Sequence, residues 1–349
     1  MNIFHNPHRG HGLTDTSLAD IPYPSTNRAR PSTLLERCPR AAITPLIEAG
    51  DIAQSLGIAA LHIKDERGRM GLGSFKALGA AYVIASDAEE GQAQGKTYVT
   101  ASAGNHGLSV AAGAAAFKAN AEIFLSEQVP EAFAQRLRDI GARVIRAGET
   151  YEASMEAAAA HAETTGATLL SDSSWEGYTA LPHRLMEGYL VLMDEVFDQL
   201  ATPPTHIFLQ AGVGGLAGAA AAAARDHWGD GPRIVVVEPE AAPALFASMQ
   251  AGRAVTTDGP VSIMGRLDCK EPSLIALKGL ARDADDFVTI TERTALQAAD
   301  RMAEHGLPTT PSGAAGLAAA MTICSEMDDA FNIDANARIL TILSEGPEG

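Results

Sequence analysis

Residues 206–240 read HIFLQAGVGGLAGAAAAAARDHWGDGPRIVVVEPE and contain the pattern that decides the fold. The apolar run His206–Gln210 predicts a strand, the alanine-rich run Leu216–His227 predicts a helix, and the valine-rich run Arg233–Glu238 predicts a second strand. Because two parallel strands need a crossover connection, usually a helix, this order predicts a parallel sheet covered by helices.

The same alternation extends outward through most of the chain. Further strands are predicted at Ala60–Lys64, Thr97–Thr100, Glu122–Leu125, Arg143–Arg146, Phe287–Ile290 and Arg338–Leu343. Further helices are predicted at Lys76–Asp87, Leu108–Ala119, Pro130–Ile140, Tyr151–Thr165, Leu181–Leu200, Glu292–His305 and Gly313–Glu326. The fold class is therefore α/β, with mostly parallel sheets and helices on both faces. The first fifty residues are rich in Pro, Arg and Ser, and we expect them to wrap over the surface.

Composition excludes several classes of protein. The 349 residues are 46% hydrophobic, which is enough for two lobes or one large α/β unit. A formal net charge of -17 argues against nucleic-acid and membrane partners. The three cysteines are scattered without a Cys-x-x-Cys pair, so we expect a reduced protein with no disulfide framework and no metal site. With no apolar signal core and no long apolar run, the expected location is the cytoplasm.

A glycine-rich turn follows the strand that ends at Gln210. Gly212, Gly214 and Gly215 open the next helix, so the backbone amides there could hold a phosphate group. The same spacing fits a dinucleotide-binding fingerprint, Gly212-x-Gly214-x-x-Ala217, with Glu238 at the end of the next strand. A nicotinamide or flavin enzyme therefore remains an alternative. A Walker-type nucleotide loop is excluded because no lysine follows the glycines.

Lys76 lies in a second informative stretch, KDERGRMGLGSFKALGAAYVIA at residues 64–85. Its neighbours are small or apolar, so partial desolvation is expected to lower its pKa and supply a neutral amine. A neutral lysine amine is what Schiff-base chemistry requires. The alternative is a surface lysine whose stem covers apolar neighbours.

Two further segments place polar groups after predicted strands. In YVTASAGNHGLSVAAGA, residues 98–114, a turn of small residues leads into a helix whose first amides could hold a carboxylate. Asn105 in that turn could hydrogen-bond a ring hydroxyl. In RILTILSEGPEG, residues 338–349, Ser344 ends an apolar run and would point into a ligand crevice at the sheet edge. Taken singly, each segment is better interpreted as an ordinary turn.

Taken together and in order, these segments resemble the pyridoxal-phosphate enzymes of the tryptophan-synthase-β-like fold, also called fold type II. The stretches that carry the resemblance are KDERGRMGLGSFKALG, TASAGNHG, SDSSWEGYTALPHRLMEGY, AGVGG, VVEPE, SIMGRLDCKEPS, TPSGAAGL and LSEG. They are most similar to the diaminopropionate ammonia-lyase branch. The resemblance implies a two-lobed molecule, with a large domain from residues 1–95 and 178–349, a small domain from residues 96–177, and pyridoxal phosphate between them.

The resemblance also implies roles for particular residues. Lys76 would bind the cofactor covalently and act in catalysis together with Asp172. Asn105 would face the cofactor's phenolic oxygen and Ser344 its pyridine nitrogen. The cofactor phosphate would bind at Gly212, Val213, Gly214 and Gly215. The substrate would bind at Ser102, Ala103, Gly104 and His106.

The activity implied is β-elimination from a small amino acid, giving a 2-oxo acid and ammonia. 2,3-Diaminopropionate is the leading substrate, and a serine, threonine or other β-hydroxy amino acid is the alternative on the same fold. Similar enzymes are usually homodimers. A dinucleotide-binding oxidoreductase and a catalytically inactive binding protein remain as alternatives of other classes.

Two departures from the branch affect the substrate. The branch carries an aspartate where this chain has Ala103, which predicts a preference for the L-isomer because a methyl group cannot act as a base. Where the branch is nearly neutral, this chain has Arg266, Asp268 and Lys270. These charges either help to select the substrate or belong to a solvated loop.

Overall fold

The structure is a computed structural model that describes residues 1–326 and 329–347. Within these residues the strands are β1 (Asn2–His5), β2 (Leu46–Glu48), β3 (Ala60–Asp65), β4 (Thr97–Ala101), β5 (Asn120–Leu125), β6 (Arg143–Arg146), β7 (Thr168–Leu169), β8 (His206–Gln210), β9 (Arg233–Pro239), β10 (Asp286–Ile290) and β11 (Arg338–Leu343). The strands form a seven-stranded sheet in the order β1-β10-β9-β8-β11-β3-β2 and a four-stranded sheet in the order β6-β5-β4-β7.

Helices cover both sheets. In the described part of the chain they are α1 (Ala29–Leu35), α2 (Gly50–Leu56), α3 (Lys76–Glu89), α4 (Asn105–Ala116), α5 (Glu131–Asp139), α6 (Tyr151–Thr165), α7 (Ala180–Gln199), α8 (Gly215–Trp228), α9 (Ala244–Ala251), α10 (Leu274–Asp283), α11 (Glu292–Glu304) and α12 (Pro311–Glu326). Short 3-10 turns occur at Thr16–Leu18, Glu66–Gly71 and Asp329–Phe331.

The sheets confirm the predicted α/β class. All pairings in the small sheet are parallel, and in the large sheet only the edge strands β1 and β2 pair antiparallel. The central strands β8 and β9 are buried along almost their whole length, which explains their continuous apolar sequence. Each fully buried Val, Ile or Phe side chain there contributes roughly 1.5–3 kcal/mol relative to exposure.

The expectation for the first fifty residues is wrong in part. Strand β1 joins the large sheet by pairing with β10, and helix α1 packs on α3 and α7. Leu18, Leu34 and Leu35 are buried in the main core. The pairing of β1 with an open sheet edge depends on a partner almost 300 residues away, so the local composition of Pro, Arg and Ser did not reveal it.

Helix α3, which begins at Lys76, packs unusually close to α7. A Cβ atom on Gly188 would stand 2.5 Å from the carbonyl oxygen of Leu78, and one on Gly79 would stand 2.7 Å from the ring of Tyr189. Glycine at both positions therefore lets the helix backbones approach directly. This contact fixes the position of the helix that carries Lys76.

The predicted domain limits at residues 95/96 and 177/178 stay a prediction; the strands of the four-stranded sheet fall between residues 97 and 169. No helix in residues 1–326 or 329–347 combines the length and the apolar character needed to cross a membrane.

Candidate active site

Four polar segments follow the carboxyl ends of parallel strands. The Ser102–Gly104 turn follows β4, Asp172 follows β7, the Gly212–Gly215 turn follows β8, and Ser344 follows β11. Ligands of open α/β sheets bind at this edge, where the loops after the strands converge. The small sheet supplies the first two segments and the large sheet supplies the other two.

Lys76 and Asp172 form the charged centre of the site. Lys76 Nζ donates a hydrogen bond to Asp172 Oδ2, although the two residues are 96 positions apart in the chain. About a fifth of each side chain remains exposed, so the pair is enclosed but open to a small molecule. The fold therefore joins the lysine at the start of α3 to a carboxylate that follows the small sheet.

The expected fall in the pKa of Lys76 is wrong for the protein in this form. Burial does act to lower the pKa of Lys76, but the neighbouring Asp172 carboxylate outweighs it and the pKa lies above its ordinary value of 10.5. Burial likewise acts to raise the pKa of Asp172, and Lys76 outweighs it, so that pKa lies below 3.8. The two groups therefore hold each other in the charged form.

Two aromatic rings line the stem of Lys76. Its Nζ lies 5.3 Å from the centroid of the Phe75 ring and 6.0 Å from that of Tyr189. These two rings pack edge to face, with centroids 4.9 Å apart. Tyr189 was not among the predicted site residues; its only sequence signal is its place in the stretch SDSSWEGYTALPHRLMEGY.

The Gly212–Gly215 turn leads directly into α8. Gly214 has a left-handed backbone (φ 95°) and caps the helix, and no side chain caps the amides of the first turn. Gly212 has little space, because a Cβ there would lie 3.0 Å from Cys269 Sγ and 3.1 Å from Leu267 Cα. A helix start with uncapped amides and a glycine backbone is suited to an anion such as phosphate.

The geometry around Glu238 argues against the dinucleotide alternative. A dinucleotide site needs an acidic residue at the end of the second strand to bind the ribose. Glu238 is instead fully buried, and its carboxylate accepts hydrogen bonds from the backbone amides of Leu245 and Phe246 at 2.8 and 2.7 Å. Burial raises the pKa of Glu238 to about 8. This carboxylate caps α9 and is not placed to meet a ribose.

The turn after β4 is held by its own side chains. Ser102 Oγ accepts hydrogen bonds from the amides of Gly104 and Gly107, at 3.2 and 3.0 Å. His106 is buried, and its Nε2 donates to the carbonyl oxygen of Leu170 at 2.8 Å. Burial lowers the pKa of His106. The turn is thus tied to the segment that contains Asp172.

Glu345 is the main site residue that sequence reasoning missed. Its buried carboxylate accepts hydrogen bonds from Asn105 Nδ2 and, at 2.5 Å, from Thr310 Oγ1. Asn105 is the residue expected to face the cofactor's phenolic oxygen. The available signal was an acidic residue directly after Ser344, at the end of the last apolar strand.

Ser344 lies beside the start of α3. Its carbonyl oxygen accepts a hydrogen bond from the Phe75 amide at 3.2 Å, and the side chain is buried. The end of β11 and the residue before Lys76 are therefore in direct contact. The structure thus brings together Lys76, Asp172 and their neighbours around one cleft.

The three charges at residues 266–270 separate into two groups. Lys270 Nζ donates to Asp268 at 2.7 Å and to the carbonyl oxygen of Ala241 at 2.7 Å, so these two side chains tie a loop together. Arg266 instead extends toward the turn after β4, and its Nη1 lies 3.4 Å from the carbonyl oxygen of Ala103. Only Arg266 reaches the cleft from this group.

The sequence matches known proteins over most of its length. Residues 39–345 match the family described as pyridoxal-phosphate dependent enzyme. Diaminopropionate ammonia-lyase of Salmonella typhimurium is 30% identical, over 89% of this chain and 87% of that protein. L-Threonine ammonia-lyase of Thermotoga maritima is 28% identical, over 71% of this chain and 60% of that protein.

Solved structures resemble the whole described fold. Diaminopropionate ammonia-lyase from Escherichia coli, in complex with an aminoacrylate-PLP azomethine reaction intermediate, matches with a TM-score of 0.88 and 27% identity. The same protein in complex with D-serine matches with a TM-score of 0.89 and 25% identity. Both matches cover 99% of this chain and 93% of the solved chain.

Proposed function

The chain belongs to the family of pyridoxal-phosphate-dependent enzymes, and on that premise we propose that it is an ammonia-lyase acting on 2,3-diaminopropionate. Pyridoxal phosphate is its cofactor. The observation that carries the proposal is the contact of Lys76 Nζ with Asp172 at the edge where both sheets end. The likeness to two diaminopropionate ammonia-lyases supports this choice of substrate.

The residues present fit this cofactor. The uncapped amides of Gly212–Gly215 suit its phosphate. The partly exposed amine of Lys76 suits its aldehyde carbon once it gives up the proton that Asp172 favours. We assign Ser344 to the pyridine nitrogen. A neutral hydroxyl there would not hold a positive charge on the ring, as a carboxylate would.

When bound, pyridoxal phosphate withdraws electrons from the substrate's Cα, which makes the Cα hydrogen acidic. We assign the removal of that proton to Lys76 Nζ, which would act as the general base. Asp172 stabilises the resulting ammonium, because its carboxylate already favours the charged form of Lys76. We also assign to Asp172 the orientation of the leaving β-amine.

The turn after β4 is assigned to the substrate's carboxylate. Ser102, Ala103 and Gly104 form this turn, and His106 lies in the first turn of α4, a helix start whose amides suit an anion. Loss of the β-amine as ammonia leaves aminoacrylate, which on release takes up water and yields a 2-oxo acid and a second ammonia. Asn105 would meet the ring hydroxyl with its side-chain amide, which Glu345 holds in place.

We propose that the enzyme prefers the L-isomer. A proton can be removed only by a base on the face toward which the hydrogen points. We assign Lys76 to one face, and Ala103, which stands where the resembled branch has an aspartate, offers only a methyl group. Since general-base catalysis contributes about a hundredfold to ten-thousandfold, a gap of that size is expected between the L- and D-isomers.

Dehydration of a β-hydroxy amino acid is the second candidate, supported by the likeness to L-threonine ammonia-lyase. It needs the same base and carboxylate and differs only in the leaving group. We also propose a cytoplasmic homodimer, on the ground that enzymes resembling this chain usually form one.

A substrate screen tests both activities. The purified enzyme, supplied with pyridoxal phosphate, is assayed for 2-oxo acid release from the L- and D-isomers of 2,3-diaminopropionate, serine and threonine. We expect L-2,3-diaminopropionate to give the highest kcat/KM and Ala103→Asp to raise turnover of the D-isomer only. Comparable wild-type kcat/KM for both isomers would disprove the stereochemical proposal, and no release from any of the six would disprove the proposed function.

A further inference from the structure

Tyr189, on α7, lies between the helix that carries Lys76 and the Gly212–Gly215 turn. A Cβ atom on Gly79 of α3 would stand 2.7 Å from Cε1 of its ring, and a Cβ atom on Gly215 would stand 3.6 Å from Cε2. Lys76 Nζ lies 6.0 Å from the centroid of the same ring. The ring is therefore held in place by α3 and by the turn assigned to the cofactor phosphate, with Lys76 beside it.

The hydroxyl of Tyr189 is buried without a hydrogen-bond partner. Only 1% of the residue is exposed, and Oη makes no hydrogen bond with any group in residues 1–326 and 329–347. A buried hydroxyl that is left unsatisfied costs folding free energy, because it has lost its hydrogen bonds to water. Such a group in a folded protein therefore needs an explanation, and a role at a functional site is one of the recognised explanations.

The charge state of Lys76 explains the unsatisfied hydroxyl. While Asp172 holds Lys76 as an ammonium, its nitrogen carries three hydrogens and no lone pair, so it cannot accept a hydrogen from Tyr189. After the loss of one proton to solvent, the same nitrogen has a lone pair and becomes an acceptor. A hydrogen bond that forms only with the neutral amine stabilises the neutral form.

Tyr189 itself keeps its hydrogen near neutral pH. Burial raises the pKa of Tyr189 above its ordinary value of 10, and it outweighs the positive charge of Lys76, which acts to lower that pKa. Only an ionised Tyr189 would favour the ammonium form of Lys76. The hydroxyl is therefore available as a donor in the pH range in which the enzyme would work.

Four other titratable groups act on Lys76 or respond to its charge. They lie on different elements around it: Asp172 after β7, His106 on α4, Tyr151 on α6 and Cys269 before α10. Burial lowers the pKa of His106 and raises those of Tyr151 and Cys269, which disfavours a charge on each of these three. Asp172 is thus the main group that favours the ammonium, and Tyr189 is placed to oppose it.

We propose that Tyr189 is a positioning residue for Lys76, whose hydroxyl donates a hydrogen bond to the Lys76 amine when that amine is neutral. The inference rests on the proposed role of Lys76 as the lysine that binds the cofactor. It adds a residue that helps to supply the neutral amine which this role requires. Asp172 and Tyr189 then have opposite effects: loss of the carboxylate eases deprotonation of Lys76, and loss of the hydroxyl hinders it.

The experiment compares Tyr189→Phe with Tyr98→Phe. Each variant removes one buried tyrosine hydroxyl and keeps the ring, but the hydroxyl of Tyr98 donates to Asp87 at 2.6 Å. The readout is the pH midpoint of pyridoxal-phosphate binding by the apoenzyme, followed by absorbance. We expect Tyr189→Phe to move this midpoint about 0.5–1 pH unit to higher pH and to lower kcat/KM below the midpoint about threefold to tenfold. Tyr98→Phe should leave the midpoint unchanged.

Thermal unfolding of the apoenzyme near neutral pH distinguishes this role from a structural one. Because the Tyr189 hydroxyl has no partner in the described part of the chain while Lys76 is charged, its removal should leave the unfolding temperature unchanged or raise it. Tyr98→Phe should lower the unfolding temperature, because it leaves Asp87 without a buried donor.

Two results would overturn the proposal. A lower unfolding temperature of Tyr189→Phe, or its failure to fold, would mean that the hydroxyl serves the fold. A pH midpoint that stays in place or moves to lower pH would mean that the hydroxyl does not stabilise the neutral amine. Cofactor absorbance that persists in Lys76→Ala would instead show that Lys76 is not the lysine that binds the cofactor, which removes the premise.

Discussion

Lys64 and Lys76 lie twelve residues apart in one stretch of chain, but their surroundings differ. Lys64 is fully buried, and its Nζ donates to Glu195 at 2.6 Å, to the carbonyl oxygen of Thr44 at 2.8 Å and to Gln199 at 2.9 Å. Lys76 is about a fifth exposed, and its one carboxylate partner is Asp172 among the described residues. All three hydrogens of the Lys64 ammonium have acceptors within the protein.

The pKa values of the two lysines shift in opposite directions. Burial lowers the pKa of Lys64 in spite of Glu195, whereas Asp172 raises the pKa of Lys76 in spite of burial. A lysine whose hydrogen-bond donors are all bound to fixed protein groups stabilises the fold and has no donor available for a ligand. A lysine with one carboxylate, two aromatic rings and some exposure can exchange its partner for a ligand.

The largest effect should follow from Lys76→Ala. We expect the variant to lose the visible absorbance of the bound cofactor and all turnover, because no other amine at the site can bond to the aldehyde carbon. Borohydride reduction of the wild type, followed by peptide mass analysis, should find the phosphopyridoxyl group on the peptide that contains Lys76. A label on Lys64, or on any other lysine, would show that Lys76 is not the lysine that binds the cofactor.

A smaller effect should follow from Asp172→Asn. With the carboxylate gone, the largest influence that raises the pKa of Lys76 is removed and this pKa should fall, while turnover falls about a hundredfold to ten-thousandfold. The readout is the pH dependence of cofactor binding by the apoenzyme, whose midpoint should move to lower pH. Glu195→Gln, which removes the partner of Lys64, is the control and should not move that midpoint.

The sign of the stability change follows from the same pKa shifts. A lysine pKa raised on folding adds stability that is complete below 10.5, and a carboxyl pKa lowered on folding adds stability that is complete above 3.8. The wild type should therefore be more stable than Asp172→Asn between about pH 4 and pH 10, and the difference should shrink below pH 3.8. A difference that grows in acid would contradict the ion pair.

The smallest effect on turnover should follow from Lys64→Met. Lys64→Met removes one cation from Glu195, but Arg69 stays paired with that carboxylate at 2.7 Å. The loss in the free energy of unfolding should therefore be smaller than the roughly 3–5 kcal/mol expected for an uncompensated buried charge. Turnover per folded molecule should stay within a small factor of the wild type, since Lys64 does not face the cleft. Urea unfolding and active-site titration separate the two quantities, and a loss of turnover in fully folded protein would mean that Lys64 also serves the site.

Much of the fold could be predicted because its central elements are long and strongly patterned. Strands β6, β8 and β11 and helix α6 have the predicted bounds. β8 and β11 are mostly apolar and α6 is rich in alanine, whereas β6 is a four-residue edge strand. The sequence did not reveal β1, β2 and β7, which are two to four residues long and exist through pairing with distant strands. Helix α4 begins three residues earlier than predicted, at Asn105, because its first turn consists of Asn, His and Gly, which are poor helix formers.

The candidate site, like the fold, could be predicted from the sequence only in part. Lys76, Asp172 and the Gly212–Gly215 turn could be named from the sequence because they belong to stretches that resemble a known family. The contact of Asn105 with Glu345 joins residues 240 positions apart, and no local pattern encodes it. The reach of Arg266 across the cleft is likewise a result of folding.

The sequence by itself determined the α/β class, the family and the identity of the cofactor, because these depend on residue types in order along the chain. Only the tertiary structure decided the electrostatics of the site. The pKa of Lys76 was expected to fall on the evidence of apolar neighbours in sequence, but it rises because folding brings the Asp172 carboxylate from 96 residues away against its amine. Electrostatic interaction depends on distance in space and on the shape of the surrounding low-dielectric protein. Neither can be inferred from the residues that neighbour Lys76 in the sequence.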